Sequence, residues 1–454
     1  MRTKHLVPIR SDDVDFISNL SDDLCSLIVS FLPMKEAVAT STLSKRWRFI
    51  YASSPSLDFD FSLFPKSRGR KQAFSDFVDK TLELFSGEGL RKFHLSMEDY
   101  GGYEPRVEDW VKFAIDHDVQ ELDIGLPRGR LSKIPDLVFR CGSLSVLNLR
   151  MSDYAFELPH PVGLKKLRSL EIRSVPLMKG EFFKGVFENC MLIEEIVIEK
   201  CKIDALEIES KSLEKLTVFG CEWVSPGEMK ISASNLKCFN YIGEVVNLHC
   251  FVNLPSLVEV VLNLNVKSCA YESDEQCSPL LVKLVQMVGN AKVLTLSPWC
   301  IEQLCRVRNL SKCMKAQGEN VKELVLLLVR KEDCVQLVSP LLRSCVNVEI
   351  LTVSILPSQS LRRGFSNDNS GDQDERNLNI NGKMKNLKTV KLEYIDENKT
   401  GLDLIKFLLN NAHALEKMTI VPSKDGLEHA KFRQKVSMFR KASKNVRVEY
   451  CTSV

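Results

Sequence analysis

The chain has 454 residues, of which 44% are hydrophobic and 27% are charged, a balance typical of a folded protein and unlike that of a disordered one. The formal net charge is only +3, from 62 basic and 59 acidic residues, so the overall field does not favour nucleic acid or an anionic membrane as the partner. Met1 to Arg10 lacks the apolar stretch of a signal peptide, and no aliphatic run approaches the roughly 18 residues of a membrane span, so we expect an intracellular protein of the nucleus or cytoplasm.

The first predicted element is a small helical unit between Asp15 and Tyr51, where apolar residues recur at helical spacing. Ser21 is placed to cap its first helix, with Asp22 and Asp23 in the first turn against the positive end of the helix dipole. Pro33 predicts that this helix ends before residue 33. So short a segment cannot bury all of its apolar side chains within itself, and we expect a patch that requires a partner.

This helical unit resembles the F-box family in four blocks that stand in the family's order. The blocks are Ile17-Ser18-Asn19-Leu20, Asp23-Leu24, Ile28-Val29-Ser30-Phe31-Leu32-Pro33 and Thr40-Ser41-Thr42-Leu43-Ser44-Lys45-Arg46-Trp47. The resemblance implies that apolar and aromatic positions bind a Skp-type adaptor. The implied adaptor-binding residues are Ile17, Leu20, Leu24, Ile28, Leu32, Leu43 and Trp47.

From Leu90 onward the pattern L-x-x-L-x-L, with aliphatic substitutions, returns along most of the chain. Clear instances are Leu144-Leu147-Leu149, Leu167-Leu170-Ile172, Ile193-Ile196-Ile198, Val348-Leu351-Val353 and Leu387-Val390-Leu392. The pattern predicts an α/β fold in which the helical F-box precedes an irregular leucine-rich-repeat solenoid with a horseshoe shape. The two Leu-x-Leu side chains of each strand should point into the core, and the residue between them should face outward.

Small residues that precede the repeat strands predict helices on the outer side of the solenoid. Each follows an aliphatic pair of the kind that ends the buried face of a helix; they are Cys141, Cys190, Cys345 and Ala412. We therefore expect these cysteines to be buried core residues. The 15 cysteines are odd in number and spread along the chain, which predicts reduced thiols. They show no C-x-x-C spacing, so we expect no metal site. We also expect no other cofactor.

The C-terminal part, from Leu387 to Tyr450, resembles the FBD region that ends many plant F-box proteins, and Val446-Arg447-Val448 is expected to supply the last strand. A compact basic cluster at residues 66–71 fits either a nuclear import signal or a solvated linker. The predicted domains are the F-box at 12–58, a linker and helix at 59–88, leucine-rich repeats at 89–356, a disordered insertion at 357–383 and FBD-like repeats with a cap at 384–454.

The resemblance implies a non-catalytic adaptor, the substrate-recognition subunit of a Skp-cullin-F-box ubiquitin ligase. The F-box would bind the Skp-type adaptor directly and the cullin and RING subunit indirectly, while the repeat face presents a protein target for ubiquitination. Outward strand positions change from charged in the early repeats to apolar in the middle ones, and exposed apolar patches mark interaction sites. The expected target-binding residues are Val197, Phe219, Ile242, Val261 and Leu327.

Two alternatives remain at this level. Plant hormone receptors also join an F-box to leucine-rich repeats and use an inositol phosphate, so a small-molecule co-receptor would need a basic cluster on the concave face. Arg150 and Arg173 stand on adjacent repeats, but four carboxylates follow them, namely Glu195, Glu199, Glu207 and Glu209. The second alternative is a repeat scaffold without ligase binding, suggested by Ser21, which stands where the family usually has proline.

Overall fold

A computed structural model of the chain describes residues 17, 19–97, 104–126, 136–151, 155–156, 162–244, 247–251, 254–265, 277–314, 318–329, 333–356, 384–395, 399–423 and 429–451. The chain divides into two compact units. The first comprises Met1–Tyr154 with Pro159–Lys166, and the second comprises Ala155–Leu158 with Leu167–Val454. The predicted insertion at 357–383 lies outside the described residues.

The first unit begins with the predicted small helical unit. It contains α1 (Asp22–Val29), α2 (Met34–Ala39) and two 3-10 segments, Thr40–Thr42 and Trp47–Ser53. The prediction of the cap is confirmed, because the Ser21 hydroxyl accepts a hydrogen bond from the backbone N–H of Leu24 at 3.3 Å. The first helix ends before Pro33, which has φ −54° and is the N-cap residue of α2.

A parallel sheet follows in the first unit, and each of its strands pairs with the preceding strand of the chain. The elements are β1 (Ser56–Asp60), α3 (Arg70–Glu83), β2 (Lys92–Ser96), α4 (Glu104–Asp116), β3 (Glu121–Leu126) and β4 (Val146–Met151). The sheet therefore begins at Ser56, within the range assigned to the F-box, and not at Leu90, where the leucine pattern becomes visible. The leucine pattern does not predict β1, because its buried pair consists of Leu57 and Phe59 and not of two leucines.

The second unit contains two parallel sheets. In chain order its strands are β5 (Ala155–Phe156), β6 (Ser169–Arg173), β7 (Leu177–Met178), β8 (Glu195–Glu199), β9 (Lys202–Ser210), β10 (Lys215–Phe219), β11 (Glu222–Ala233), β12 (Cys238–Glu244), β13 (Asn247–Phe251), β14 (Glu259–Asn265), β15 (Val293–Leu296), β16 (Glu323–Val329), β17 (Ile350–Leu356), β18 (Thr389–Ile395), β19 (Lys417–Pro422) and β20 (Arg447–Tyr450). In this unit the main sheet has the order β6-β8-β10-β12-β14-β15-β16-β17-β18-β19-β20. The predicted closing strand is confirmed as β20, which pairs with β19.

The second sheet, with the order β13-β11-β9-β7-β5, was not predicted. Its strands alternate along the chain with those of the main sheet through the early repeats of this unit. The chain passes from one sheet to the other through left-handed residues directly after β6, β8 and β10, which are Ser174 (φ 61°), Lys200 (φ 53°) and Gly220 (φ 61°). Each of these turns also joins the next repeat, as when the Lys200 N–H donates to the Phe219 carbonyl at 2.8 Å.

Helices form the outer wall of the later repeats, as predicted. The helices of the second unit are α5 (Gly180–Asn189), α6 (Cys277–Met287), α7 (Pro298–Cys305), α8 (Leu310–Cys313), α9 (Cys334–Ser344), α10 (Lys399–Asn411) and α11 (His429–Ser437). Cys190, Cys345 and Ala412 directly follow α5, α9 and α10 and are buried, as predicted. Cys141 is also buried, but it follows the 3-10 segment Val138–Arg140 and not an α-helix. Burial raises the pKa of Cys190 to about 11 and that of Cys345 to about 12, so both remain protonated core thiols.

Within the parts of the chain that the structure describes, no helix combines the length and the apolar composition that crossing a bilayer requires. The apolar residues instead fill the space behind the strands. Leu216 and Val218 of β10 are fully buried, and Thr217 between them is half-buried on the other face. The predicted alternation of core and outward positions is confirmed there.

Asparagine side chains join consecutive repeats at the turns before several main-sheet strands. The amide of Asn235 donates to the Lys211 carbonyl at 2.7 Å, and the amide of Asn347 donates to the Glu319 carbonyl at 2.8 Å. Asn320, in the repeat of β16, makes the equivalent bond to the Gly289 carbonyl at 3.1 Å. These bonds satisfy turn carbonyls that stacking would otherwise leave without a donor, so polar contacts fix the spacing of the repeats together with the leucines.

Candidate functional site

The helical unit closes a small core of its own. The 3-10 segment Trp47–Ser53 packs against α1, and the Ser26 hydroxyl donates to the Ser53 carbonyl at 3.0 Å across this contact. The buried apolar residues are Cys25, Val29, Met34, Ala37, Trp47, Ile50, Tyr51 and Ala52. Outside this set, Leu20, Leu32 and Val38 are half-buried, and the other large apolar side chains of the unit are exposed.

Those remaining apolar side chains form an exposed surface, which we name the F-box patch. Its members are Ile17, Leu24, Leu27, Ile28, Phe31, Leu43 and Phe49. On α1, Cys25 and Val29 face the core, whereas Leu24, Leu27 and Ile28 lie on the other side at helical spacing. The first helix thus has two apolar faces, and among the described residues only one of them is covered.

The structure separates the predicted adaptor-binding residues into three groups. Ile17, Leu24, Ile28 and Leu43 lie in the F-box patch, and Leu20 and Leu32 are half-buried. Trp47 is only 8% exposed and belongs to the core, so its side chain is not part of the F-box patch. Leu27, Phe31 and Phe49 were missed, although the spacing from Leu24 to Leu27 to Phe31 could have identified the first two.

Arg46 holds the last F-box block beside the start of α1. Its Nε lies 2.8 Å from Asp22 Oδ1, and its guanidinium also donates to the Leu20 carbonyl. The Arg46 ion pair is solvent-exposed and therefore contributes little stability by itself. Its geometry nevertheless fixes the chain near Leu43 against the N-terminal end of α1, so that both contribute to the F-box patch.

On the main sheet of the second unit, the outward strand positions are less apolar than predicted. Phe219 and Ile242 lie opposite each other on β10 and β12 and form one apolar pair. The other predicted residues face polar neighbours, since Val197 lies opposite Thr217, Val261 opposite Asn240 and Leu327 opposite Ser354. The expected continuous patch is therefore interrupted, and its centre is the pair Phe219 and Ile242.

Charged side chains surround this pair. The Lys200 ammonium lies 5.8 Å from the centre of the exposed Phe219 ring, a cation–π arrangement, and 2.8 Å from Glu199 Oε1. Glu199 Oε2 in turn lies 3.2 Å from Arg173 Nε. We name Arg173, Glu199, Lys200, Phe219 and Ile242 the anchor cluster. Its centre is apolar, and positively and negatively charged side chains lie beside it.

The same contacts bear on the idea of an inositol phosphate site. Arg173 is bound by Glu171 and Glu199, so its charge is already compensated. Glu207 and Glu209, two of the carboxylates that follow the arginines in the sequence, lie on β9 of the second sheet. Glu207 pairs there with Lys230 at 2.6 Å.

The outward face of the first unit carries a polar ladder. His94 lies between two carboxylates, with Nδ1 3.3 Å from Asp123 Oδ2 and Nε2 3.8 Å from Asp58 Oδ1. Burial lowers the pKa of His94, but the hydrogen bond to Asp123 and the two negative charges outweigh burial, so this pKa lies above its ordinary value. Burial raises the pKa of Asp123, but the hydrogen bond and charge of His94, together with Asn148 and Arg150, outweigh burial, so this pKa is lowered. The pKa of Asp58 is raised mainly by burial.

A shallow depression of about 340 Å³ lies at the start of strands β15 to β18. Its side chains include Glu349, which is paired with Lys322 at 3.2 Å and with Lys388 at 2.9 Å. The hydrogen bonds from Lys388 and Lys322 lower the pKa of Glu349, so that this carboxylate stays ionised at neutral pH. Across the described ranges, no group of three or more His, Cys, Asp or Glu side chains could hold a metal ion.

Comparison with known proteins matches both parts of the chain. Residues 17–54 match the F-box domain, and residues 81–449 match the At1g61320/AtMIF1 LRR domain. A protein of Arabidopsis thaliana whose name gives it as an F-box/FBD/LRR-repeat protein, At3g59240, is 28% identical over 90% of this chain and 84% of its own length. The F-box/LRR-repeat protein At3g59190 of the same organism is 29% identical over 77% of this chain and 95% of its own length. The two matched domains and these relatives show that the chain belongs to the plant F-box/leucine-rich-repeat proteins.

Proposed function

We propose that this chain is the substrate-recognition subunit of a Skp-cullin-F-box ubiquitin ligase. The observation that carries the proposal is the F-box patch, an exposed apolar surface on a helical unit whose own core is already closed. Large apolar side chains that stay exposed together in one small unit mark an interaction site. The F-box domain implies that a Skp-type adaptor is the partner at this surface, and the cullin and RING subunit would be reached through it.

The repeats would hold the protein target. A ligase subunit of this type needs no acid or base of its own, because holding a target lysine near a ubiquitin thioester raises the effective concentration of the two reactants. The geometry needed for that is a stiff support, and the strands of the second unit provide one through continuous parallel pairing.

Within the repeats, we infer that the anchor cluster contacts the target. Phe219 is the only one of the five predicted target-binding residues that is an exposed large side chain, and Ile242 lies beside it. Aromatic and aliphatic anchors at the centre of a contact, with a polar border, tend to carry most of the binding energy. The polar border here consists of Lys200 and Glu199.

Affinity purification from plant cells with the proteasome blocked tests both surfaces at once. The parent chain is compared with Phe31→Ala/Leu43→Ala and with Phe219→Ala/Ile242→Ala. We expect the first variant to lose the Skp-type adaptor and keep the target proteins, and the second to keep the adaptor and lose targets. Retention of the adaptor by the first variant would refute the docking surface, and an unchanged target set in the second would refute the anchor cluster.

A further inference from the structure

A run of basic residues without acidic ones leads into the C-terminal strand. Residues 429–447 contain seven basic side chains and no aspartate or glutamate. All seven are exposed; they are Lys431, Arg433, Lys435, Arg440, Lys441, Lys444 and Arg447. Without these seven, 55 basic residues remain against 59 acidic ones, so the rest of the chain is net negative. We name this set the C-terminal basic surface.

Packing holds the C-terminal basic surface in place. Phe432 and Val436 of α11 are buried, whereas Lys431 and Lys435, which directly precede them, are exposed. After the helix, the Ala442 N–H donates to the Leu409 carbonyl of α10 at 2.8 Å. The Asn445 N–H then donates to the buried Ser443 hydroxyl at 3.3 Å. The cations are therefore presented by an ordered support next to β20.

The last strand offers an open edge beside these cations. The Arg447 N–H donates to the Glu416 carbonyl at 2.9 Å, and the Cys451 N–H donates to the Ile420 carbonyl at 3.0 Å. Because alternate residues of a strand point their backbone groups to opposite sides, those of Val448 and Tyr450 point away from β19. Among the residues that the structure describes, β19 is the strand that pairs with β20, and no strand lies on its other side.

The carboxylate of β20 itself is already paired. Glu449, the carboxylate on β20, pairs with Lys417 of β19 at 2.8 Å. Arg433 stacks over the Tyr450 ring at 4.7 Å, which places a cation at the end of the strand. Met438 contributes an exposed apolar side chain beside the cations. An incoming ligand thus meets positive charge, open backbone groups and an apolar contact together.

We propose that β20 and the C-terminal basic surface bind an extended acidic polypeptide segment, which adds to the main sheet as a further strand. Unpaired strand edges are templates for such additions, in which backbone hydrogen bonds supply affinity and flanking side chains supply specificity. A polypeptide is favoured over nucleic acid because a nucleic acid cannot continue the backbone ladder of Val448 and Tyr450. The net negative charge of the rest of the chain would also repel a long polyanion.

Fluorescence anisotropy with the full chain tests this proposal. The probe is a labelled synthetic peptide of alternating glutamate and valine, and the comparison probes are an alternating lysine and valine peptide and labelled oligothymidine. The charge variant is Arg440→Glu/Lys441→Glu/Lys444→Glu. Its matched control, Lys66→Glu/Arg68→Glu/Lys166→Glu, makes the same change of net charge at exposed positions elsewhere.

A second variant tests the strand edge itself. Val448→Pro removes a backbone N–H that points away from β19, so the existing ladder stays intact while addition of a strand is blocked. Circular dichroism of every variant checks the fold. This variant should lose affinity for the acidic peptide but keep the salt dependence of what remains, because the cations are unchanged.

We expect the acidic peptide to bind the parent chain and the matched control equally, and the charge variant to bind at least about tenfold more weakly. Failure of the acidic peptide to bind the parent, or equal binding by the charge variant, would overturn the proposal. Stronger binding of oligothymidine than of the acidic peptide would assign the surface to nucleic acid instead. An unchanged affinity of Val448→Pro would exclude addition of a strand.

Discussion

Truncation of the two most exposed apolar residues of the F-box patch should weaken adaptor binding strongly. Phe31 is 75% exposed and Leu43 is 68% exposed. Full burial of such a side chain is worth about 1.5–3 kcal/mol, so covering the exposed parts of both is worth about 2–4 kcal/mol. At about 1.4 kcal/mol per factor of ten, Phe31→Ala/Leu43→Ala should raise the Kd for the adaptor by roughly 30-fold to 1000-fold.

The assay is isothermal titration calorimetry of the purified chain with a purified Skp-type adaptor. The matched control is Met191→Ala/Leu192→Ala, which removes exposed apolar side chains, 72% and 45% exposed, from the turn between α5 and β8 in the second unit. The control should bind like the parent chain, and circular dichroism should show both variants folded. If the Phe31/Leu43 variant binds within about threefold of the parent, the exposed apolar area of these side chains does not determine the affinity for the adaptor.

Three further results are expected. Trp47→Ala should lower the free energy of unfolding of the first unit by about 3–5 kcal/mol in chemical denaturation, because it leaves a cavity in the F-box core; a loss of adaptor binding without a loss of stability would show direct contact instead. The raised pKa of His94 means that its contribution to stability is fully present below the ordinary histidine value and is lost as the pH rises through the folded-state value. His94→Gln should therefore reduce the free energy of unfolding more at about pH 5.5 than at about pH 9, and an equal reduction at both would contradict the ion pair with Asp123. Iodoacetamide at neutral pH should label exposed Cys451 and leave buried Cys345 unmodified until the chain is unfolded, as followed by mass spectrometry; early labelling of Cys345 would show that the later repeats open readily.

The repeat strands were predictable because their signal is local. A buried pair such as Leu351 and Val353 alternates with outward residues in a way that one strand alone displays. The second sheet was harder to predict from the sequence. Its longest strand, β11, contains Pro226 and Gly227, which argue against a regular strand, and its pairing with β9 shifts register between Trp223 and Glu228.

The functional surfaces were predictable only in part, because they depend on which apolar residues the core leaves uncovered. Trp47 and Phe31 are both aromatic F-box residues, and the sequence could not show that one fills the core while the other faces solvent. The same limit applies to the outward strand face, where the neighbours of Val197 come from a strand 20 residues further along the chain. The C-terminal basic surface was present in the sequence as a run of cations without acids, but the open strand edge beside it required the fold.

Parallel pairing of each main-sheet strand with its predecessor has a consequence for synthesis of the protein. Each later main-sheet strand of the second unit pairs with the main-sheet strand that precedes it in the chain. The side-chain hydrogen bonds between neighbouring repeats join residues that are close in sequence, for example 23 and 40 residues apart. At about 5–20 residues per second, the ribosome releases one repeat every few seconds, whereas local helices and turns form within microseconds. Each repeat can therefore settle on its predecessor before the next one emerges, and the array can grow from its N-terminal end while translation continues.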